Sequence, residues 1–411
     1  MLRALFYNHI NLIEMNKLHK TAVYTIALAG ASTLSAQGLL SIGGNGDFKS
    51  DIPLTLTLGV GAGYDSNINT ASNSADELDS AWYQAGVGLS YGWNQKITQA
   101  TLGLGASYIR YQESGDFDND DINGRVSLNV THAASPRLTL GGSLYVAYEA
   151  EPDFAIGVAS ARRSGEYFYL NGSANATYAL NRRLSVALGY TFGTIIYDSR
   201  VAAGSEDRVD QTVSVDLQYG YSRTTTAVIG ARWGFVNYDS LNADYDTYSV
   251  YVGADKEFSA RMSGSLRVGA SIYENSGRGA TEAAPMLEAA INYLVDRSTT
   301  ASWYHRLGFE GSELSSFDSR YSYRTGVTLA KQLNRRTSLQ IGAHYAHSEL
   351  GNSEELGDVS EDQLYANFGV SYRLYRNFDL NADYTFITLL SDTSQREFDR
   401  HRVSVGASAT F

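Results

Sequence analysis

From Ile52 to Phe411 apolar and polar residues alternate with period two, the spacing of a strand with one apolar face. In Leu54–Tyr64, LTLTLGVGAGY, Leu54, Leu56, Leu58, Val60, Ala62 and Tyr64 share one face, and Thr55, Thr57, Gly59, Gly61 and Gly63 share the other. The final run, VSVGASATF, sets Val403, Val405, Ala407, Ala409 and Phe411 against Ser404, Gly406, Ser408 and Thr410. One such strand fits a soluble sandwich or a membrane barrel equally well. The joining segments discriminate.

Short polar turns recur at Asn94–Lys96, Ser135–Arg137, Asn181–Arg183, Ser222–Thr224, Ser259–Arg261, Arg297–Thr299, Asn334–Arg336 and Tyr375–Asn377, at intervals of 37 to 46 residues. Each interval holds two strands and one longer, mostly acidic loop, as at 65–79, 113–120, 152–163, 199–208, 275–280, 311–318, 349–360 and 391–396, with a short one near 239–243. Short turns alternating with longer loops are the topology of outer-membrane barrels, with turns facing the periplasm. Eight turns and nine loops predict an all-β, transmembrane antiparallel barrel of 18 strands, each of about 12 to 15 residues, with both ends in the periplasm. The count falls to 16 if the twelfth and thirteenth strands are over-read, because Pro285 interrupts one and His305 points to lipid in the other. Pro285 is read as the true start of the twelfth strand. A propeller shares the spacing of about 40 residues but packs four strands into it; here two long strands fill each interval.

Aromatic residues sit at the ends of the apolar face: Tyr91, Trp93, Tyr178, Tyr219, Tyr293 and Tyr372 toward the turns, and Tyr108, Tyr148, Phe192, Phe235, Tyr384 and Phe386 toward the loops. Two such belts mark the two membrane interfaces. Composition agrees, with 39 Gly, 30 Tyr, 4 Pro and no Cys. The absent cysteines exclude disulfides and thiolate metal sites. A net charge of -12 argues against a nucleic-acid partner and suits acidic outer loops.

The first 36 residues read as a signal peptide: Lys17 and Lys20, the short apolar run Thr21–Thr33, then Ser35 and Ala36 before Gln37. Residues 1–14 read as an upstream extension, with Met15 as the start, and residues 37–51 as a short periplasmic lead-in to a barrel over 52–411.

Alternation directs the charges inward. Arg125, Glu149, Asp216, Arg232, Asp255, Arg267 and Glu288 fall in register with small polar neighbours. So do Arg306, Glu310, Arg324, Arg373, Asp379, Asp383 and Arg402. An arginine facing mid-membrane lipid costs about 2–4 kcal/mol, so a wet lumen lined by these side chains is expected. Asp216, Arg232 and Arg267, counted from their turns, fall near one height and predict a belt of mixed sign. A barrel of this size leaves an aqueous channel, so the expected role is a channel for small hydrophilic solutes or ions. No segment is large enough for a plug domain, and no loop is evidently folded into the pore. Outer-membrane lipid and lipopolysaccharide are the expected surroundings. No cofactor is implied. Oligomeric state is left open.

Asp65, Asn67 and Asn69 have the alternate oxygen spacing of a calcium ligand set, but an Asx-rich turn closing the first strand is the stronger reading; no metal is assigned. The histidines do not suggest catalysis. His344 faces inward with Gln340 and Ser338, His305 faces lipid, and no nucleophile–base–orienter set includes His347 or His401. No catalytic residue is expected.

The run Gly63–Tyr64–Asp65–Ser66–Asn67–Ile68 and the terminal Phe411 resemble the porin type 2 family of β-barrels, over about residues 52–411. That resemblance implies an outer-membrane barrel without catalytic residues. Some relatives accompany exopolysaccharide export, so a non-porin barrel serving secretion or envelope structure is the alternative, and an outer-membrane hydrolase a more distant one. Val403, Val405, Ala407, Ala409 and Phe411 look like the signal read by the outer-membrane insertion machinery. Export is checked by N-terminal sequencing of membrane-extracted protein: the mature chain should begin near Gln37, and a start at Met1 or Met15 would refute the signal peptide.

Overall fold

The computed structural model describes residues 54–411 apart from 73–75, 114–119, 151–165, 199–206, 240–243, 276, 278, 311–318, 354–356 and 394–395. The expected signal peptide and lead-in, residues 1–51, lie outside the described residues. Eighteen strands follow in order: β1 Leu54–Asp65, β2 Ser80–Asn94, β3 Thr98–Tyr111, β4 Asp120–Ser135, β5 Leu138–Glu149, β6 Tyr167–Ala179, β7 Leu184–Tyr197, β8 Arg208–Gly220 and β9 Thr225–Tyr238. Then come β10 Tyr245–Ser259, β11 Met262–Asn275, β12 Ala280–Asp296, β13 Thr299–Phe309, β14 Ser319–Gln332, β15 Thr337–Ser353, β16 Gly357–Tyr375, β17 Phe378–Ser391 and β18 Phe398–Thr410. Every strand pairs antiparallel with its sequence neighbours, and β1 also pairs with β18, so the sheet closes on itself. The expected count of 18 holds, β12 and β13 included.

Closure is continuous along the seam. Nine residue pairs run from Thr57↔Thr410 to Asp65↔Arg402. At the turn end Leu56 N donates to Phe411 O at 3.0 Å, and Phe411 N to Leu56 O at 2.8 Å. The seam therefore leaves no free strand edge whose backbone donors would go unpaired in hydrocarbon.

The apolar face points outward. Val60, Val250 and Val405 are 59%, 63% and 60% exposed, whereas Trp82 and Tyr273 on the opposite face are 1% and 0% exposed. A soluble sandwich would show the reverse. Both aromatic belts lie on this outer face, as Trp93 at the turn end and Tyr108 at the loop end illustrate.

Side-chain oxygens fix the short turns. Asn181 Oδ1 accepts from the Arg183 and Leu184 amides at 2.9 and 3.0 Å, and Asn334 Oδ1 from Arg336 and Thr337 at 2.8 and 3.0 Å. Ser135, Ser222, Ser259 and Asp296 do the same for their own turns. In these six turns an acceptor at the opening position mimics a backbone carbonyl and pins the register of the next strand.

Two expectations are corrected, and one point left open by the sequence is decided. Pro285 does not start β12, which begins at Ala280; up to Met286 the strand pairs only with β11, because pairing with β13 starts at Leu287↔Leu307. With no ladder on that side, the missing N–H is tolerated. The loop expected over 349–360 is mostly strand, since β15 and β16 extend to Ser353 and from Gly357 as a projecting hairpin. The first loop, whose inward fold is not evident from the sequence, turns into the barrel: Ile68 is fully buried among Trp82, Ile109 and Tyr111, all on the inner face.

A cysteine placed at Lys96 or Arg335, in turns at one end, should react with an impermeant thiol reagent only after the outer membrane is permeabilised. One at Glu274, by the loops, should react on intact cells. Labelling of either turn in intact cells would invert the topology.

Candidate functional site

The inner wall is layered along the barrel axis. Toward the turns it is lined by small polar residues that bond across strands, such as Thr55 with Ser90 and Ser185 with Gln218. Toward the loops it becomes aromatic. Tyr167, Tyr169, Tyr197, Ile195 and Ala147 form one buried cluster. Tyr245 and Tyr273 pack at a tilt with ring centres 4.6 Å apart in another.

Between these layers lies an arc of charge on β8 to β14. Arg267, Glu288, Arg306 and Arg324 are direct cross-strand neighbours. Arg267 donates to Asp255 at 2.9 Å, and Arg324 Nε to Glu310 at 2.6 Å, with Arg306 3.8 Å from the same carboxylate. Arg232 makes a two-point contact with Glu288, at 2.6 and 2.9 Å. These residues sit on β9 and β12, so the guanidinium reaches across β10 and β11 along the wall. Tyr251 lies beneath it, with the ring centre 4.7 Å from Arg232 Cζ, and its hydroxyl donates to Asp216. A paired carboxylate and a cation–π face compensate the partial burial of the guanidinium.

Glycine makes this flat packing possible. Asp216, Gly230, Tyr251 and Gly269 occupy successive places in one cross-strand row. A Cβ at Gly230 would collide with Asp216 Oδ1 and the Tyr251 ring. Tyr304, Gly326 and His344 repeat the device: the Tyr304 hydroxyl meets His344 Nδ1 at 3.1 Å across the bare glycine.

A second ionic group closes the seam at the loop end. Asp65 is fully buried and lies 2.6 Å from Arg400 Nη2 and 2.9 Å from Arg402 Nε. The run Gly63–Ile68 supplies the rest of this clasp. Gly63 admits the Trp82 ring, and Tyr64 donates outward to Asp79 at 2.8 Å. Ser66 exchanges bonds with the His401 backbone, and Asn67 Nδ2 donates to the Asp399 carbonyl at 3.1 Å. Asn69 accepts from the Leu78 amide and donates to the Asp76 carbonyl. The side-chain oxygens of Asp65, Asn67 and Asn69 are therefore engaged in ordering the loop and the seam.

All fourteen charged positions singled out in the sequence fall on the inner-face register. The structure gathers Asp216, Arg232, Asp255, Arg267, Glu288, Arg306, Glu310 and Arg324 into the arc. It pairs Arg373 with Asp379 at 3.1 Å near the turns and places Arg402 in the clasp. Arg125 lies over Gly105 on β3, Glu149 ends β5, and Asp383 sits on β17 away from the arc. The mixed belt is thus an arc with pairs made along the wall, because a guanidinium can span two strands. Sequence reading missed the inner aromatic layer, although Tyr167 and Tyr169 keep the phase of Asn171, Ser173 and Asn175. It also passed over Arg400. His305 lies in the outer aromatic girdle against Tyr323, and His347 and His401 contact Asp362 and Tyr384.

A closed 18-strand cylinder with an apolar outside and a polar, ion-paired inside defines an outer-membrane β-barrel of the porin class. The chain belongs to the family described as "Putative beta-barrel porin 2", whose profile matches residues 55–411. The fold is similar to a BenF-like porin from Pseudomonas fluorescens, at 10% identity, covering 87% of this chain and 98% of that one, TM-score 0.48. It is also similar to OpdK of Pseudomonas aeruginosa, at 10% identity, covering 87% and 98%, TM-score 0.47. No curated protein matches the sequence.

Replacing Asp65 by Ala leaves two guanidinium groups without their shared carboxylate. Loss of one partner of a buried pair costs about 3–5 kcal/mol. Urea unfolding of the lipid-reconstituted barrel should show that loss, and an unchanged midpoint would show that the clasp is dispensable.

Proposed function

We propose that the barrel is a passive channel of the outer membrane, passing small hydrophilic solutes and ions through a hydrated lumen, and that it performs no catalysis. The supporting observation is the way the charged arc packs. Tyr251 and Arg267 lie over Gly230 and Gly253, and Arg232 lies over Tyr251 and reaches Glu288 two strands further on, an arrangement that supports polar groups laid along the wall of a passage. Ion pairs held against a polar surface present both signs to a passing solute, which permits ions of either charge with modest selectivity. The fourteen inner-face charges are assigned to lining this lumen. The domain division belongs to the same reading: an exported leader to residue 36, a lead-in to 51, and a barrel inserted through its terminal strand ending at Phe411. Lipopolysaccharide around the outer belt and the insertion machinery at the last strand are the partners it implies.

Single-channel recording in planar bilayers tests it. In a salt gradient, R232A frees Glu288 and R267A frees Asp255, so each should raise the cation-to-anion permeability ratio several-fold. A correctly folded wild type without conductance would end the channel reading and favour the secretion or envelope role.

A further inference from the structure

Charge is spread unevenly along the arc. From β8 to β12 the acids prevail and each group is engaged: Glu288 holds Arg232 at two points, Asp255 accepts from Arg267 at 2.9 Å, and Asp216 accepts from Tyr251. On β13 and β14 the balance reverses. Arg324, Arg306 and Arg320 all act electrostatically on the one carboxylate of Glu310. Arg324 Nε occupies that carboxylate at 2.6 Å, and Arg320 is turned to Ser348, to which it donates at 3.3 Å. Three guanidinium groups around one carboxylate leave a local surplus of positive charge.

Arg306 presents that surplus on the inner face. Its side chain is 53% exposed, against 10% for Arg324. It has no hydrogen-bond partner among the described residues, and its Nε stands 3.8 Å from Glu310. Its cross-strand neighbours offer nothing more: Glu288 is committed to Arg232, and Arg324 bears the same charge. Space is present as well. A Cβ at Gly308, the next inner-facing position of β13, would meet nothing within 4 Å. Arg373 supplies the contrast, being 54% exposed yet held by Asp379 at 3.1 Å. What sets Arg306 apart is the combination of access and an unfilled guanidinium fork.

We propose that Arg306 is a binding point for oxyanionic solutes, carboxylates or phosphates, within the lumen; it rests on the channel reading and names the solute class. The planar fork of a guanidinium matches two oxygens of one oxyanion, and the contact is charge-assisted. Arg324 and Arg320 add to the positive potential at this point, so an ammonium group is repelled. A neutral hydroxyl gains only an ordinary hydrogen bond. Glu310 limits the strength, because it stands beside the same guanidinium and opposes a second anion. Binding is therefore weak enough to release the solute, as passage requires.

The test records chloride current through the full barrel in a planar bilayer while sodium butyrate, sodium phosphate or choline chloride is added. Butyrate or phosphate should reduce the current saturably, and choline should not. A response to either oxyanion supports the site and tells carboxylate from phosphate. R306Q should weaken that block about tenfold, the loss of one charge-assisted contact. R306K keeps the charge without the fork and should weaken it less. R373Q removes an equally exposed but paired arginine and should leave the affinity for the oxyanion unchanged. Heat-dependent electrophoretic mobility checks that each variant is folded. Unchanged block in R306Q would overturn the proposal, as would an equal loss in R373Q or block by choline. Titration calorimetry on the folded barrel separates the site from the channel. Oxyanion binding that R306Q weakens, in a barrel that conducts nothing, would support the site while ending the channel reading. Conductance with no binding of either oxyanion would refute the site and leave the channel intact.

Discussion

The structure depends on one requirement: inside hydrocarbon every backbone N–H and C=O must find a partner within the protein. A sheet meets that demand only by closing, so β1 has to find β18. Other features follow. Proline is kept to places where a ladder bond is not needed, as at Pro285. Turns are short and pinned by their own Asn, Ser or Asp oxygens, so that a slip of one residue does not carry polar side chains into lipid. The ionic clasp of Asp65 with Arg400 and Arg402 then locks the loop end of the seam, beyond which the chain turns inward through Ile68.

The same closure decides how the inner wall is furnished. Side chains facing a bore either project into it or lie down against it. Lying down needs space on the neighbouring strand, and glycine supplies that space. Tyr251 over Gly230, Trp82 over Gly63 and Tyr304 beside Gly326 are three instances. At these positions the glycines are the negative image of the large polar and aromatic groups beside them. Substituting such a glycine would push a neighbour into the lumen, so bore and glycine pattern are coupled.

Much of this was legible in the sequence. The alternation gives strand number and the inward placement of Arg232 or Glu288, because period two leaves a residue only two directions to point. The recurring turns supply topology. What alternation cannot supply is who meets whom across strands. Nothing in the spacing of Arg232 and Glu288 shows that they join over two intervening strands, because that contact depends on tilt, rotamer and the glycines between. The inner tyrosines were obscured for a related reason: Tyr167 suits a lipid interface and a buried inner cluster equally well, and only its phase relative to Asn171 decides. Residues such as Asn67 looked like ligands because oxygen spacing says nothing about which donors are already nearby.

The clasp has a bearing on how the molecule is made. Asp65 lies near the start of the described barrel and Arg400 close to the end of the chain, so the trio cannot assemble until the last strand has arrived. A chain truncated before β18 would keep an unneutralised acid at the rim and an open strand below it. The ion trio therefore works as a completion check: it forms only in a finished cylinder, through a contact between residues 335 apart in the sequence.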